Sequence, residues 1–318
     1  MDAFVTFFTS ADVTLSNKLL EVVYILIGLV CIYTGVLNAR DQSNEKRPGS
    51  AAFWCILGVL LVLGKWIPDY VAGALLVAMC IPPIVKQVDK GKGGAPTADE
   101  MEGNFNKIGM KIFAPSLAIG VFALIFALFT KISSLVGLTF GVVVGGILLM
   151  AFSRDNNPRV FLSDCRRMLD TVGPLSMLPT LLAGLGAVFT AAGVGDVISQ
   201  LVSGMIPDGN VVVGIIVYAI GMAVFTMIMG NAYAAITVMT VGIGYPFVLA
   251  HGANPTVIGM LALTCGFCGT LCTPMAANFN TVPVALLDMK KPMGVIKNQV
   301  PVAIIMLVVQ IVMMIMLK

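Results

Sequence analysis

The chain has 318 residues, 58% of them hydrophobic and 11% charged, with a mean hydropathy of +0.98. Ordinary soluble domains carry about 25% charged residues, so this composition excludes a soluble globular protein and leaves a polytopic membrane protein in the lipid bilayer. The net charge is only +3 and points to no nucleic-acid partner, and the basic residues are read by position as topology signals.

Residues 1–17 include Asp2 and Asp12 and lack a basic start, which predicts no cleaved leader. Apolar spans are expected over roughly 19–39, 51–64, 71–85, 108–130, 134–152, 175–193, 209–229, 232–250, 256–271 and 296–317. The expected fold class is all-α, a polytopic integral membrane protein of about ten hydrophobic segments, with re-entrant or broken helices in the C-terminal half. Span 51–64 reaches only about 21 Å as a helix, against a hydrocarbon core of about 30 Å. It and 71–85 are tilted, extended through Trp66, or paired in a hairpin that does not fully cross.

The loops alternate in charge. Arg40, Lys46, Arg47, Lys86, Lys90, Lys92, Lys107, Arg154, Arg159, Arg166, Arg167, Lys290, Lys291 and Lys297 fall on one side, and Lys18, Lys65, Lys131 and Lys318 on the other. The positive-inside rule puts the first set in the cytoplasm and both termini outside. The polar loop 86–107, with Gly91, Gly93, Gly94 and Pro96, divides a scaffold-like part (1–107) from a transport-like part (108–318). Gly137, Gly141 and Gly145 form a face for close helix approach, its partner lying in this chain or another. Within 153–174, Phe161, Leu162, Cys165, Met168 and Leu169 recur at helical spacing, which predicts a short amphipathic helix on the inner surface. Its Arg166 and Arg167 meet anionic lipid or act as solvated topology signals. Glu21 is expected at an interface, Asp196 as an N-cap, and His251 in a solvated turn. The seven cysteines read as small hydrophobes. Cys265, Cys268 and Cys272 share a helical face but lack a fourth ligand, so packing is expected there and no metal.

Residues 209–287 contain no Asp, Glu, Lys or Arg, yet two amide-bearing, helix-breaking segments interrupt them. Non-helical backbone at membrane depth is tolerated where protein buries it or where it lines a cavity, and broken helices of this kind hold substrates in many secondary transporters. At Gly230-Asn231-Ala232, Gly230 can end one helix and Asn231 cap the next. The free N–H groups at such a start favour a carboxylate. The alternative is a plain loop between two spans. At Gly269–Thr281, Thr273 suits an N-cap with Pro274 at the first helical position. There Thr270, Thr273, Asn278 and Asn280 offer hydroxyls and amides to a substrate or a bare cation. The alternative is a kinked structural helix. Only the second half carries such breaks, so the first is a degenerate repeat or a second polypeptide supplies the other half.

The second half resembles the ion transporter superfamily of secondary carriers. The resemblance rests on the Gly-rich run Leu181–Gly193, the small-Asn-small tip Gly230-Asn231-Ala232 and the Thr273-Pro274 element. Nearly the whole chain, and most specifically Cys268–Asn280, resembles a bacterial permease-subunit family proposed to form two-subunit 5-oxoproline transporters. The resemblance implies a subunit of the cytoplasmic (inner) membrane that binds a small organic anion, with 5-oxoproline the named candidate. Its partner would be a second small membrane subunit, or a further copy of the chain. Gly230, Asn231, Ala232, Thr270, Thr273, Pro274, Asn278 and Asn280 would supply half the site, and Na⁺ or H⁺ would be the coupling ion. Superfamily tips often read Ser-Asn-Thr, and Gly230 and Ala232 lack those hydroxyls, which a sodium site of the usual kind uses. The reading from a different class is a non-transporting scaffold or assembly subunit, which the glycine face also suits. No intramembrane carboxylate pair or histidine cluster points to an enzyme.

Overall fold

Backbone polar groups at membrane depth must be satisfied within the chain, and helices do this locally. In this computed structural model, which describes residues 2–89, 98–153, 155–207 and 209–318, every regular element is helical. Among the described residues, six helices are long and apolar enough to cross a membrane, or seven if the bent pair Leu181–Ala191 and Val194–Ser203 is one span. Arg47–Leu63, Asp69–Ile84 and Pro255–Thr270 are apolar but shorter. The chain is a multi-pass membrane protein. Lys90, Gly91, Lys92, Gly93, Gly94, Pro96 and Arg154, which figure in the loop and charge expectations, lie outside the described residues. Two compact units form, residues 1–171 and 172–318.

Unit 1 holds α1 (Asp2–Thr9), α2 (Leu15–Arg40), α3 (Arg47–Leu63), α4 (Asp69–Ile84), α5 (Ala98–Ile108), α6 (Phe113–Phe129), α7 (Ser134–Phe152) and the start of α8 (Pro158–Ala191). Two hairpins close on glycine. In α2–α3 a Cβ at Gly28 would stand 2.8 Å from Gly58 O, and one at Gly58 2.7 Å from Gly28 O. In α6–α7 a Cβ at Gly141 would stand 2.6 Å from Ile119 Cα, and one at Gly137 2.7 Å from Phe122 O. The partner of the Gly137–Gly145 face is therefore α6 of the same chain.

Contacts sort the connections of unit 1 to two ends. Lys65 pairs with the buried Glu21 at 3.6 Å, and Ser133 N donates to Ser16 Oγ at 2.9 Å. At the other end Lys46 pairs with Asp89 at 3.1 Å, Lys107 with Asp155 at 2.7 Å, and Arg166 with Asp41 at 2.7 Å. Lys18, Lys65 and Lys131 thus share one end, as their charge grouping predicts.

Three local expectations are corrected. Residues 98–107 of the expected loop are helical, in α5. The amphipathic segment and the span after it are one 34-residue helix, α8. Arg166 turns inward to Asp41 and Asp170 instead of outward to lipid or water, where its Nη2 makes charge-assisted hydrogen bonds to Asp41 and Asn38.

Unit 2 continues from α8 with α9 (Val194–Ser203), α10 (Val211–Met229) and α11 (Ala232–Met239). A π-helical turn (Thr240–Gly244), the short α12 (Tyr245–Phe247) and a 3₁₀ turn (Leu249–His251) follow, then α13 (Pro255–Thr270), α14 (Ala277–Leu286) and α15 (Gly294–Leu317). Gly193, at φ +69°, bends the chain by 67° between α8 and α9. This is a third interruption, beyond the two the sequence marks. Asp196 lies inside the first turn of α9, and Gly193 holds the cap position expected of it. Chain after Asn231 runs back along α10: Tyr218 Oη meets Thr240 Oγ1 at 2.7 Å, and a Cβ at Gly214 would stand 2.7 Å from Phe247 O. Ile215, Tyr218, Met222, Ile243, Ile258 and Met314 fill the core between these helices. His251 is exposed, as expected.

Candidate functional site

The two interruptions meet. Gly230 ends α10 at φ +70°, and its N–H donates to Thr226 O at 2.6 Å. A Cβ there would stand 2.6 Å from Met275 O, so the tip rests directly on backbone of the second break. Only glycine tolerates both the left-handed angle and the approach. α13 reaches the same place. A Cβ at Gly266 would stand 3.0 Å from Ala232 Cβ and 3.2 Å from Thr226 Oγ1, and Gly269 abuts Ala223 O. The C-termini of α10 and α13 and the N-terminus of α11 therefore converge, bringing two negative dipole ends and one positive end together.

Asn231 caps α11 as expected. Its Oδ1 accepts from Tyr233 N at 3.0 Å and Ala234 N at 3.3 Å. The cap occupies two of the N–H groups offered to a carboxylate, leaving the Ala232 N–H and the Asn231 Nδ2 as donors there. Ala232 is buried against α13.

The second break differs from its expected form. α14 starts at Ala277, and Thr273-Pro274 lies in the turn before it. Thr273 Oγ1 accepts from Met275 N at 3.2 Å, so it stabilises a turn and caps no helix. Pro opens a turn as readily as a helix. Asn280, 1% exposed, bridges the break: its Nδ2 donates to Thr270 O and Thr273 O, both at 2.7 Å. Thr270 is buried and spends its hydroxyl on Phe267 O. Pro274 and Asn278 are exposed. Gly230 meets Met275 and Ala232 meets α13, with Asn231 between them, and Asn280 ties Thr270 and Thr273 together in the break, while Pro274 and Asn278 show no such contact.

Two buried oxygens here have no hydrogen-bond partner among the described residues, Asn280 Oδ1 and Thr226 Oγ1. An unsatisfied buried polar atom costs about 1–3 kcal/mol and marks a place where a ligand donor or cation is useful. The sequence reading missed Thr226. The available signal was a lone Thr in an apolar helix, one turn before the glycine that ends it.

The break lies beside the body of α15. Cys268 Sγ donates to Gln310 Oε1 at 3.5 Å, and Gln310 is about 24 Å from the start of α15 and about 10 Å from its end. Cys272 Sγ donates to Cys268 O, and Cys265 is buried. A groove of about 360 Å³ between α9 and α10, lined by Ile198, Val202, Val217, Val224, Phe225 and Met239, is apolar and gives an anion no donor.

A family model described as "Protein of unknown function (DUF979)" matches residues 21–318, and the chain belongs to that family. No curated protein and no solved structure matches the chain at a significant level.

Proposed function

We propose that this DUF979-family chain is a subunit of a secondary active transporter for a small organic anion, 5-oxoproline being the best candidate. It would work by alternating access in the bacterial cytoplasmic membrane, with a second small membrane subunit or a second copy completing the site. The observation that carries this reading is the buried junction of the two helix breaks, with Gly230 against Met275 and two unpartnered oxygens close by. Charge-free helix ends supply a site for a carboxylate and a lactam without the desolvation cost of a buried Lys or Arg. In this reading Asn231 Nδ2 and the Ala232 N–H meet the carboxylate, and Thr226 and Asn280 accept from the lactam N–H. α2, α3, α4, α6 and α7 form the scaffold, with the short α3 and α4 crossing in a locally thinned bilayer. The scaffold-only reading drew on the glycine face, which α6 occupies, and on the missing second half of the site, a ground it shares with the transport reading.

The test is uptake of radiolabelled 5-oxoproline into proteoliposomes holding this chain, its candidate partner, or both. Uptake is expected with both, or with this chain alone if copies complete the site. Thr226→Val is expected to preserve or raise thermal stability, since it removes an unpartnered hydroxyl, and to lower uptake at least about tenfold, the equivalent of ~1.4 kcal/mol. Folded, inserted protein with no uptake in any arm would remove the substrate. Unchanged uptake in Thr226→Val would remove that residue from the site.

A further inference from the structure

Buried charge in unit 1 gathers where α8 passes the ends of α2 and α3. Asp170, on α8, is 8% exposed. Its Oδ1 accepts from Asn38 Nδ2 at 2.7 Å and from Trp54 Nε1 at 2.8 Å. Arg166, one turn earlier, spends its Nη2 elsewhere, on Asp41 Oδ2 at 2.7 Å and Asn38 Oδ1 at 2.8 Å. Asp170 receives only its Nε, which stands 3.4 Å from Oδ2 and makes no hydrogen bond. Arg167 pairs with the exposed Asp164 at 3.3 Å. Among the described residues, the charged groups facing Asp170 are therefore Arg166 on its own helix and Asp41 at the end of α2. From α3 comes the neutral Trp54, while Arg47, the one charge on that helix, stands at its start.

Two carboxylates thus share one guanidinium, and the better bond goes to Asp41. A buried cluster with one negative charge in excess is costly, and protonating its less well paired carboxyl relieves that cost. Ser43 and Arg166 hold the Asp41 carboxyl below its ordinary value. Desolvation raises the Asp170 carboxyl above its own, against the lowering effect of Asn38, Trp54 and Arg166. Asp170 precedes the apolar part of α8, which begins near Leu175. Residues 209–287, around the helix breaks, contain no carboxylate to carry a proton.

We propose that Asp170 is a reversible proton-binding site, taking a proton from water on Oδ2, and that this proton is the coupling ion. The second clause rests on the transport reading above, and the first stands without it. On protonation an O–H bond forms at Oδ2, the cluster becomes neutral overall, and Arg166 is left to Asp41 and Asn38. On release the proton returns to water and the Asp170 carboxylate again competes for Arg166.

The test is infrared titration of the full-length chain in lipid, following the carbonyl band of a protonated carboxyl. The expected result is a band that disappears with a midpoint above the ordinary aspartate range and is absent from Asp170→Asn. In Asp41→Asn the midpoint should move down, because Arg166 is freed to pair with Asp170. That variant keeps the test decisive if Asp170→Asn does not fold. A midpoint within or below the ordinary range, or one unmoved in Asp41→Asn, would overturn the proton site. In proteoliposomes an inward proton gradient should stimulate wild-type uptake and leave Asp170→Asn unaffected. A shifted band without gradient-driven uptake would overturn coupling and keep the site. No uptake under any condition would overturn the transport reading alone.

Discussion

At Gly230 two constraints coincide, a left-handed backbone angle and the backbone of Met275 at the distance where a Cβ would stand. An L-residue in that conformation costs about 1–2 kcal/mol, and the contact adds to it. Gly230→Ala is expected to lower the melting temperature in detergent by several degrees and to abolish uptake. An unchanged melting temperature would mean that tip and break separate easily. Gly230 and Asn231 were legible in the sequence because each has a distinct backbone or capping chemistry. Thr273 was legible as a polar residue at a break but not in its role, since the start of α14 depends on the Asn280 amide reaching back to two carbonyls. Thr226 and Asp170 were not legible as buried groups. The partner that buries a side chain can be far away in sequence, as Asn38 is from Asp170.

Among elements, hydrophobic runs located the helices because lipid demands apolar side chains over a fixed length. Their continuity was harder to read. Polarity changes near residue 174, yet α8 continues through it, although Pro174 gives up its own helical hydrogen bond there. The Gly137–Gly145 face was visible, but its partner was open until α6 proved to fill it. At Gly141 even a Cβ meets Ile119 Cα, so Gly141→Leu would force α6 and α7 apart. The expected outcome is loss of monodisperse folded protein on size exclusion, whether or not a partner is co-expressed. A folded variant that fails only to bind its partner would instead place that face at a subunit contact.

On the scale of the molecule, the two ends of unit 1 sort Lys18, Lys65 and Lys131 away from Lys46, Lys107 and Arg166. The topology we propose follows the positive-inside rule, with the second group in the cytoplasm. A fluorescent reporter that matures only in the cytoplasm, fused after Lys318, is expected to stay dark, and a periplasmic phosphatase there to be active. The reverse pattern would invert the topology. The junction of Gly230 with Met275 also bears on biosynthesis. α10, its tip and α11 carry no charge that the insertion machinery can read, so this hairpin takes its orientation from the basic segments before and after it. A lysine at position 231 would give it an address of its own. It would also put a charge at a buried junction, which insertion scales set at about 2.5–3.5 kcal/mol at the centre of a membrane helix. The neutrality of the tip therefore leaves the hairpin dependent on its neighbours for its direction through the bilayer.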